Sequence, residues 1–287
     1  MTAVLRRDVG RRVRTRRPTG SSAWLRRACL GALGLLLVFG AAELALWAGK
    51  VDQVLFPLPS TVVRVAFGML GDPAFWSAVG TTLGLWAEAV AISVGIGVIA
   101  GLLLGTLPWA ERALRPVTEF LRPLPPIVLY PLVLLIVQDG PKTEVAVIVF
   151  GAVWPVLINT VYGVGEVDPV ARQTLRSFGF GPLAVAWRVS LPSAAPFVAT
   201  GVRIAASLGF VVAIATELIG TGLNGIGSYL VQQEAGTVDI SPILAVAVWS
   251  GVLGLVINGL FAAAERRAFR WHHLLTAASV AAGRART

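Results

Sequence analysis

The sequence predicts an all-α, polytopic membrane protein with six spans. Three observations carry that expectation. Of the 287 residues, 56% are hydrophobic and only 14% are charged, against about 25% charged in an ordinary soluble domain. Six apolar segments are each long enough to cross a bilayer. Lys and Arg are distributed one-sidedly between the connecting segments. The mean hydropathy of +0.77 leaves more apolar surface than a chain of this length can bury in its own core, so lipid is the expected solvent for much of it.

The segments fall at about 28–49, 77–107, 120–138, 143–164, 195–219 and 241–263. The second exceeds what a perpendicular crossing needs, so it should tilt or project beyond the bilayer. The spans divide the chain into a basic tail (1–27), a first span with an outer loop (28–76), a core (77–263) carrying a loop at 165–194, and a C-terminal tail (264–287).

The net charge of +9 does not indicate nucleic acid, because residues 1–27 alone hold nine Arg and one Asp. Arg16-Arg17 is followed by Pro18-Thr19-Gly20 rather than by bulky apolar residues, which is a poor fit to a twin-arginine export signal. The tail reads as a disordered cytoplasmic segment held at lipid headgroups. With the N-terminus inside, the cytoplasmic segments 1–27, 108–119, 165–194 and 264–287 hold nineteen Lys and Arg, and the outer segments hold three. That asymmetry places both termini in the cytoplasm. The single Cys29 excludes an internal disulfide, and His272-His273 reads as an interfacial pair on a basic tail rather than a metal site.

In the outer loop, Phe56-Pro57-Leu58-Pro59-Ser60 is a rigid entry to an apolar-periodic stretch, with Ser60 as the expected N-cap of an interfacial helix. That helix is either a lip for an extracytoplasmic partner or a structural connector. Within the spans, ionisable groups are costly and need a reason. Glu43 lies late in the first span and reads as an interfacial charge. Glu88 is deeper, and a bundle-facing partner or a pathway role is expected for it rather than lipid exposure. Arg203 either snorkels, pairs with a carboxylate, or faces an anionic solute. Glu217 is either a gate or pathway group or a structural one. Pro125, Pro126 and Pro131 release backbone carbonyls in the third span, with Tyr130 between them. Asn159 is expected to hydrogen-bond across helices. Gly97, Gly101 and Gly105, spaced by four, are expected to allow close helix packing. The residues expected to line a translocation path are Pro126, Tyr130, Asn159, Arg203 and Glu217.

The loop at 165–194 is the most informative stretch. Asp168 can cap a helix whose first position is Pro169. That helix should run through Arg172, Gln173, Thr174, Leu175 and Arg176 and stop near Gly179, where φ > 0 is permitted. A second short amphipathic piece follows, with Leu183, Trp187 and Leu191 on one side, before Leu191-Pro192 opens the next span. A helix-turn-helix along the membrane surface can present a knob to a soluble motor.

This stretch resembles the cytoplasmic loop of binding-protein-dependent ABC importer permeases, which begins Glu-Ala-Ala, has Gly six residues after the Glu, and ends Ile-x-Leu-Pro. Gly179, Val189, Leu191, Pro192 and Pro196 match, as does Trp187-Arg188. Gln173-Thr174-Leu175 stands where Glu-Ala-Ala would be, so the acidic anchor is neutral here. Leu121-Arg122-Pro123-Leu124-Pro125-Pro126, Tyr130-Pro131-Leu132, Gly201-Val202-Arg203-Ile204-Ala205 and Glu217-Leu218-Ile219-Gly220 resemble the sulfonate/taurine/nitrate-type branch.

The resemblance implies a type I importer permease fold acting as a homodimer, with two cytoplasmic ATPase subunits on the inner loops and a binding protein delivering a small solute from outside. It assigns ATPase coupling to Asp168, Pro169, Arg172, Gln173, Thr174, Leu175, Arg176, Gly179, Leu191 and Pro192. No Gly-x4-Gly-Lys-[Ser/Thr] phosphate loop occurs in the sequence, so ATP and Mg are expected on the partner ATPase and no catalytic residue or cofactor on this chain. The alternatives are an ion-coupled secondary transporter, which would need buried acid clusters and internal repeats, and a non-transporting membrane anchor, which would not need the inner helix-turn-helix.

Overall fold

A computed structural model of the chain describes residues 20–49, 57–220, 224–234 and 239–269. The Arg-rich part of the tail and His272-His273 lie outside the described residues. The contacts divide the chain into two units, Met1–Ser60 and Thr61–Thr287. Among the described residues every regular element is helical.

The first unit holds α1 (Gly20–Trp47), whose apolar part runs Cys29–Trp47. Ser60 is not the N-cap of α2 (Pro59–Met69), because that helix starts one residue earlier. Its backbone N–H and its hydroxyl instead donate to the Glu43 carboxylate at 3.1 and 2.7 Å. Glu43 thus satisfies one helix-start N–H that lacks an intrahelical partner.

The second unit is built on three long helices: α3 (Pro73–Thr106), α6 (Gly140–Gly165) and α9 (Leu191–Ile219). Asp72 and Asp139 start the first two, each accepting a backbone N–H at 2.9 Å. With 34 residues, α3 is about 51 Å long at 1.5 Å per residue, so it exceeds the hydrocarbon thickness as expected. Its glycine stripe meets α6 directly. A Cβ at Gly97, Gly101 or Gly105 would lie 2.7, 2.5 or 2.8 Å from the side chains of Val156, Thr160 and Val164. On its other side α6 presses against α9, where a Cβ at Gly201 would meet the Pro155 carbonyl oxygen at 2.8 Å. Val147, Ile148, Ala152 and Val156 of α6 are fully buried together with Ala205, Ala206 and Ala213 of α9. Small residues let the backbones approach, and dispersion then holds them, since lipid offers no hydrophobic drive between spans. The Trp86 indole N–H bonds the Ala206 carbonyl at 2.9 Å, joining α3 to α9. Glu88 is exposed on the single chain and so is not turned into this bundle.

The third expected span, 120–138, is not a straight helix. Its residues are shared between α4 (Pro108–Leu121) and a shorter piece formed by a 3-10 turn (Pro126–Leu129) and α5 (Tyr130–Val137). The two halves meet at 85°. Pro123, Pro125 and Pro126 supply no N–H, and Pro125 adopts ψ 121°, the extended backbone favoured before a proline. Among the described residues five helices are long and apolar enough to cross a membrane, and a sixth crossing requires the bent pair to count as one. After α9 come α10 (Ile226–Glu234) and α11 (Ser241–Ala268). The Trp249 indole of α11 donates to the Ala66 carbonyl of α2 at 2.8 Å.

Candidate coupling loop and translocation path

The loop between α6 and α9 folds by its own local signals. Asp168 accepts the Val170 N–H at 2.8 Å, and Pro169 opens α7 (Pro169–Ser177). At the other end Gly179 has φ +80°. Its N–H bonds the Arg176 carbonyl at 2.9 Å, and the Phe180 N–H reaches back to Leu175 at 3.1 Å. Those two bonds form a Schellman motif and satisfy carbonyls the helix would leave free. The Arg172 guanidinium donates to the Val164 carbonyl and so ties α7 to the end of α6. Burial and the neighbouring Arg176 both hold Arg172 below its ordinary range.

No residue of α7 is buried. Gln173, Thr174 and Arg176 are exposed, while Arg172 and Leu175 are half-buried. Phe178 is 77% exposed at the tip of the turn, and Val170 is 65% exposed. The residue patterns did not single out either one. The signal that could have found Phe178 is its place immediately before the left-handed glycine, where a side chain is thrown clear of the helix. Arg188 sits over the Phe180 ring, 4.9 Å from its centroid, a cation–π contact that braces the return strand of the loop.

Of the expected stripe, Trp187 does not share an inward face with the half-buried Leu191. Between α8 (Pro182–Val185) and α9 the chain makes a π-helical turn over Ala186–Ser190. Trp187 is exposed, while Val185 and Ser190 are buried. The wider i→i+5 turn moves the inward register from a spacing of four to one of five. Leu191-Pro192 opens α9 as expected.

Of the five path residues, Tyr130 and Glu217 both lie near Glu144, whereas Asn159 and Arg203 are held in other contacts. Pro126 packs on α6, where a Cβ at Gly151 would lie 2.8 Å from its ring. Tyr130 is buried among Ala89, Val145, Ile148 and Val212. Asn159 donates to the Pro155 carbonyl at 2.8 Å, within its own helix rather than across helices. Arg203 pairs with Glu265 of α11 at 3.1 Å, and the Thr200 hydroxyl donates to the same carboxylate at 2.8 Å. Arg203 also lines an open cleft of about 570 Å³ with Ser207, Val211 and Asn258. Of the readings open for it, pairing with a carboxylate describes its geometry.

Glu217 is fully buried at the opposite end of α9. It accepts from the Thr82 hydroxyl at 2.7 Å and the Gly227 N–H at 2.8 Å. Glu144 of α6, equally buried, is its neighbour, and both Glu144 carboxyl oxygens lack a hydrogen-bond partner. The sequence reading missed Glu144, because a carboxylate two residues after Lys142 at a helix start looks interfacial.

Comparison with known proteins agrees with this architecture. Residues 93–270 match the family described as binding-protein-dependent transport system inner membrane component. The bicarbonate transport system permease protein CmpB of Synechocystis sp. is 31% identical over 67% of this chain and 68% of its own length. The nitrate import permease protein NrtB of Leptolyngbya laminosa is 30% identical over 70% of this chain and 75% of its own. Among solved structures, an amino acid ABC transporter crystallised with histidines superposes with a TM-score of 0.58 at 21% identity, over 76% of this chain and 99% of that one. At that identity the likeness concerns the fold alone. The chain belongs to the binding-protein-dependent inner membrane components, and it is the membrane-spanning permease of an ABC importer.

Proposed function

We propose that two copies of this chain form the translocation unit of an importer for a small anion or zwitterion, driven by two cytoplasmic ATPase subunits and fed by an extracytoplasmic binding protein. The observation that carries the reading is the α7 loop: capped by its own residues, free of buried side chains and projecting Phe178 beside a left-handed glycine. A stable exposed knob on a membrane bundle is suited to enter a groove on a motor. Asp168, Pro169, Arg172, Gln173, Thr174, Leu175, Arg176, Gly179, Leu191 and Pro192 form or brace that knob. ATP and Mg reside on the ATPase. Nitrate and bicarbonate are the solutes named for the relatives, and sulfonates and taurine share their small size and anionic group.

Both termini face the cytoplasm in this reading, and the segments at 50–76 and 220–240 face outward. Membrane lipid covers the outer faces of the spans. The bundle opens alternately to the two sides as ATPase closure moves the 168–192 loop.

The test is reconstitution. Proteoliposomes holding the permease, its ATPase and its binding protein should take up labelled nitrate, bicarbonate or taurine only with ATP, and the isolated chain should hydrolyse none. Orientation is read in a Cys29→Ala background, where cysteines at Ser60 and Asn224 should react with an impermeant thiol reagent in intact cells and one at Ser177 should not. Labelling of Ser177 alone reverses the topology. ATP hydrolysis by the isolated chain defeats the division of labour.

A further inference from the structure

The buried pair Glu144–Glu217 is not used by the coupling loop and lies at the other end of the bundle. Both residues have no exposed surface. Glu144 comes from the start of α6 and Glu217 from the end of α9, and their side chains are neighbours. A hydrogen bond between two carboxyl groups needs a proton on one of them, because an ionised carboxylate only accepts. The surroundings are unequal. Glu217 receives the Thr82 hydroxyl and the Gly227 N–H, and Gly227 is the second residue of α10, so its carboxylate rests on a helix N-terminus. The same Thr82 oxygen accepts the Ile226 N–H at 2.9 Å. Glu144 has no such donor: neither of its buried carboxyl oxygens receives a hydrogen bond.

The titratable and charged groups around the pair are few. The 3-10 turn and α5 bring Tyr130, whose buried hydroxyl is also unpartnered. Facing the pair, α3 presents Thr82 and α10 presents backbone. Lys142 on α6 is exposed and pairs with Asp139 at 3.3 Å. Among the described residues no Lys, Arg or His forms an ion pair with either Glu.

We propose that Glu144 and Glu217 are a proton-binding site: one proton, carried by Glu144 and donated to the Glu217 carboxylate, fastens α6 to α9 and, through Thr82 and Gly227, to α3 and α10. Loss of the proton sets two carboxylates against each other away from water, where Coulomb repulsion is poorly screened. The junction of the four helices then loosens. Gly225 is part of the device, since a Cβ there would fall on the Glu217 carboxylate.

Isotope-edited infrared spectroscopy tests this on the purified permease–ATPase complex with ¹³C-labelled Glu. The difference spectrum between the wild type and Glu144→Gln at neutral pH should contain the carbonyl stretch of one protonated carboxyl group. A Thr82→Val substitution should shift that stretch, because it changes the acceptor. In parallel, the melting temperature of the wild type should fall on alkalinisation, and that fall should be smaller in Glu144→Gln, whose amide can still donate to Glu217. A difference spectrum containing only carboxylate bands overturns the proposal, even if the variant is poorly stable. So does a melting temperature raised by sodium in the wild type and not in Glu144→Gln, which would make the occupant a metal cation instead.

Discussion

The two ends of the bundle are built on opposite principles. At the α7 end, each feature is settled within about a dozen residues: Asp168 caps, Pro169 starts, Gly179 turns, and Phe180 closes back on Leu175. No side chain of α7 is buried. At the Glu217 end, the partners come from four helices, and Thr82 and Glu217 are 135 positions apart in sequence. Every side chain in that junction is buried. The contrast teaches that an exposed knob can be specified locally and move as a unit, whereas a polar junction in a membrane core exists only when the whole bundle has closed around it.

Substitutions that separate folding from coupling should expose this difference most sharply. Gly225→Val and Gly101→Leu should cause the largest loss. Their side chains collide with the Glu217 carboxylate and with Thr160, an overpacking cost of about 3 kcal/mol. Fluorescence-detected size exclusion of a tagged permease should show little monodisperse protein. Normal elution of both variants would mean that the close approach of α3, α6 and the α9–α10 turn is not required.

Gly179→Leu should do the reverse. A Cβ at Gly179 meets nothing within 4 Å, so the local cost is backbone strain of roughly 1–2 kcal/mol at positive φ. Membrane abundance should stay near wild type, while transport and substrate-stimulated ATPase activity fall together. Gly179→Ala, carrying the strain with little bulk, should lie between the two. Gln173→Glu should be tolerated or mildly strengthening if the ATPase groove is basic. Wild-type transport by Gly179→Leu would remove α7 from the coupling path.

Asp168→Ala should be milder, costing about 1 kcal/mol through the lost N-cap. Hydrogen exchange should accelerate in α7 and leave α6 and α9 unchanged. Spread of the effect into the long helices would mean that the loop is not an autonomous unit.

The smallest effect belongs to the Asp72–Tyr229 bond of 2.7 Å. The Tyr229 hydroxyl and the Ala74 N–H hold Asp72 below its ordinary 3.8. Burial and Asp72 push Tyr229 up to about 12. Because the Asp72 value is depressed on folding, its contribution is present above the ordinary carboxylate range and is lost as pH falls through the folded value. The Tyr229 contribution is present below its ordinary value and is lost as pH rises toward about 12. Tyr229→Phe should therefore flatten the acid flank of the melting curve without altering transport at neutral pH. An unchanged acid flank would exclude the bond as a contributor.

The sequence by itself determined the helical class, the approximate positions of the spans, the α7 turn and the close-packing role of Gly97, Gly101 and Gly105. These follow from properties of the chain that need no partner. Lipid forces internal backbone pairing, proline and glycine fix local dihedrals, and carboxylate caps act within three residues. Tertiary structure alone decided that the third segment breaks into halves at 85°, that a π-turn rotates Trp187 outward, that Glu88 faces away from the single-chain bundle, that Arg203 finds Glu265 and that Glu144 finds Glu217. The physical reason is the solvent. In water, an apolar stripe marks the inward face of a helix, but in lipid both faces are apolar and the pattern carries no direction. Which polar groups meet then depends on how closely the backbones can approach and on the order in which they pack, and neither quantity is written in any single helix.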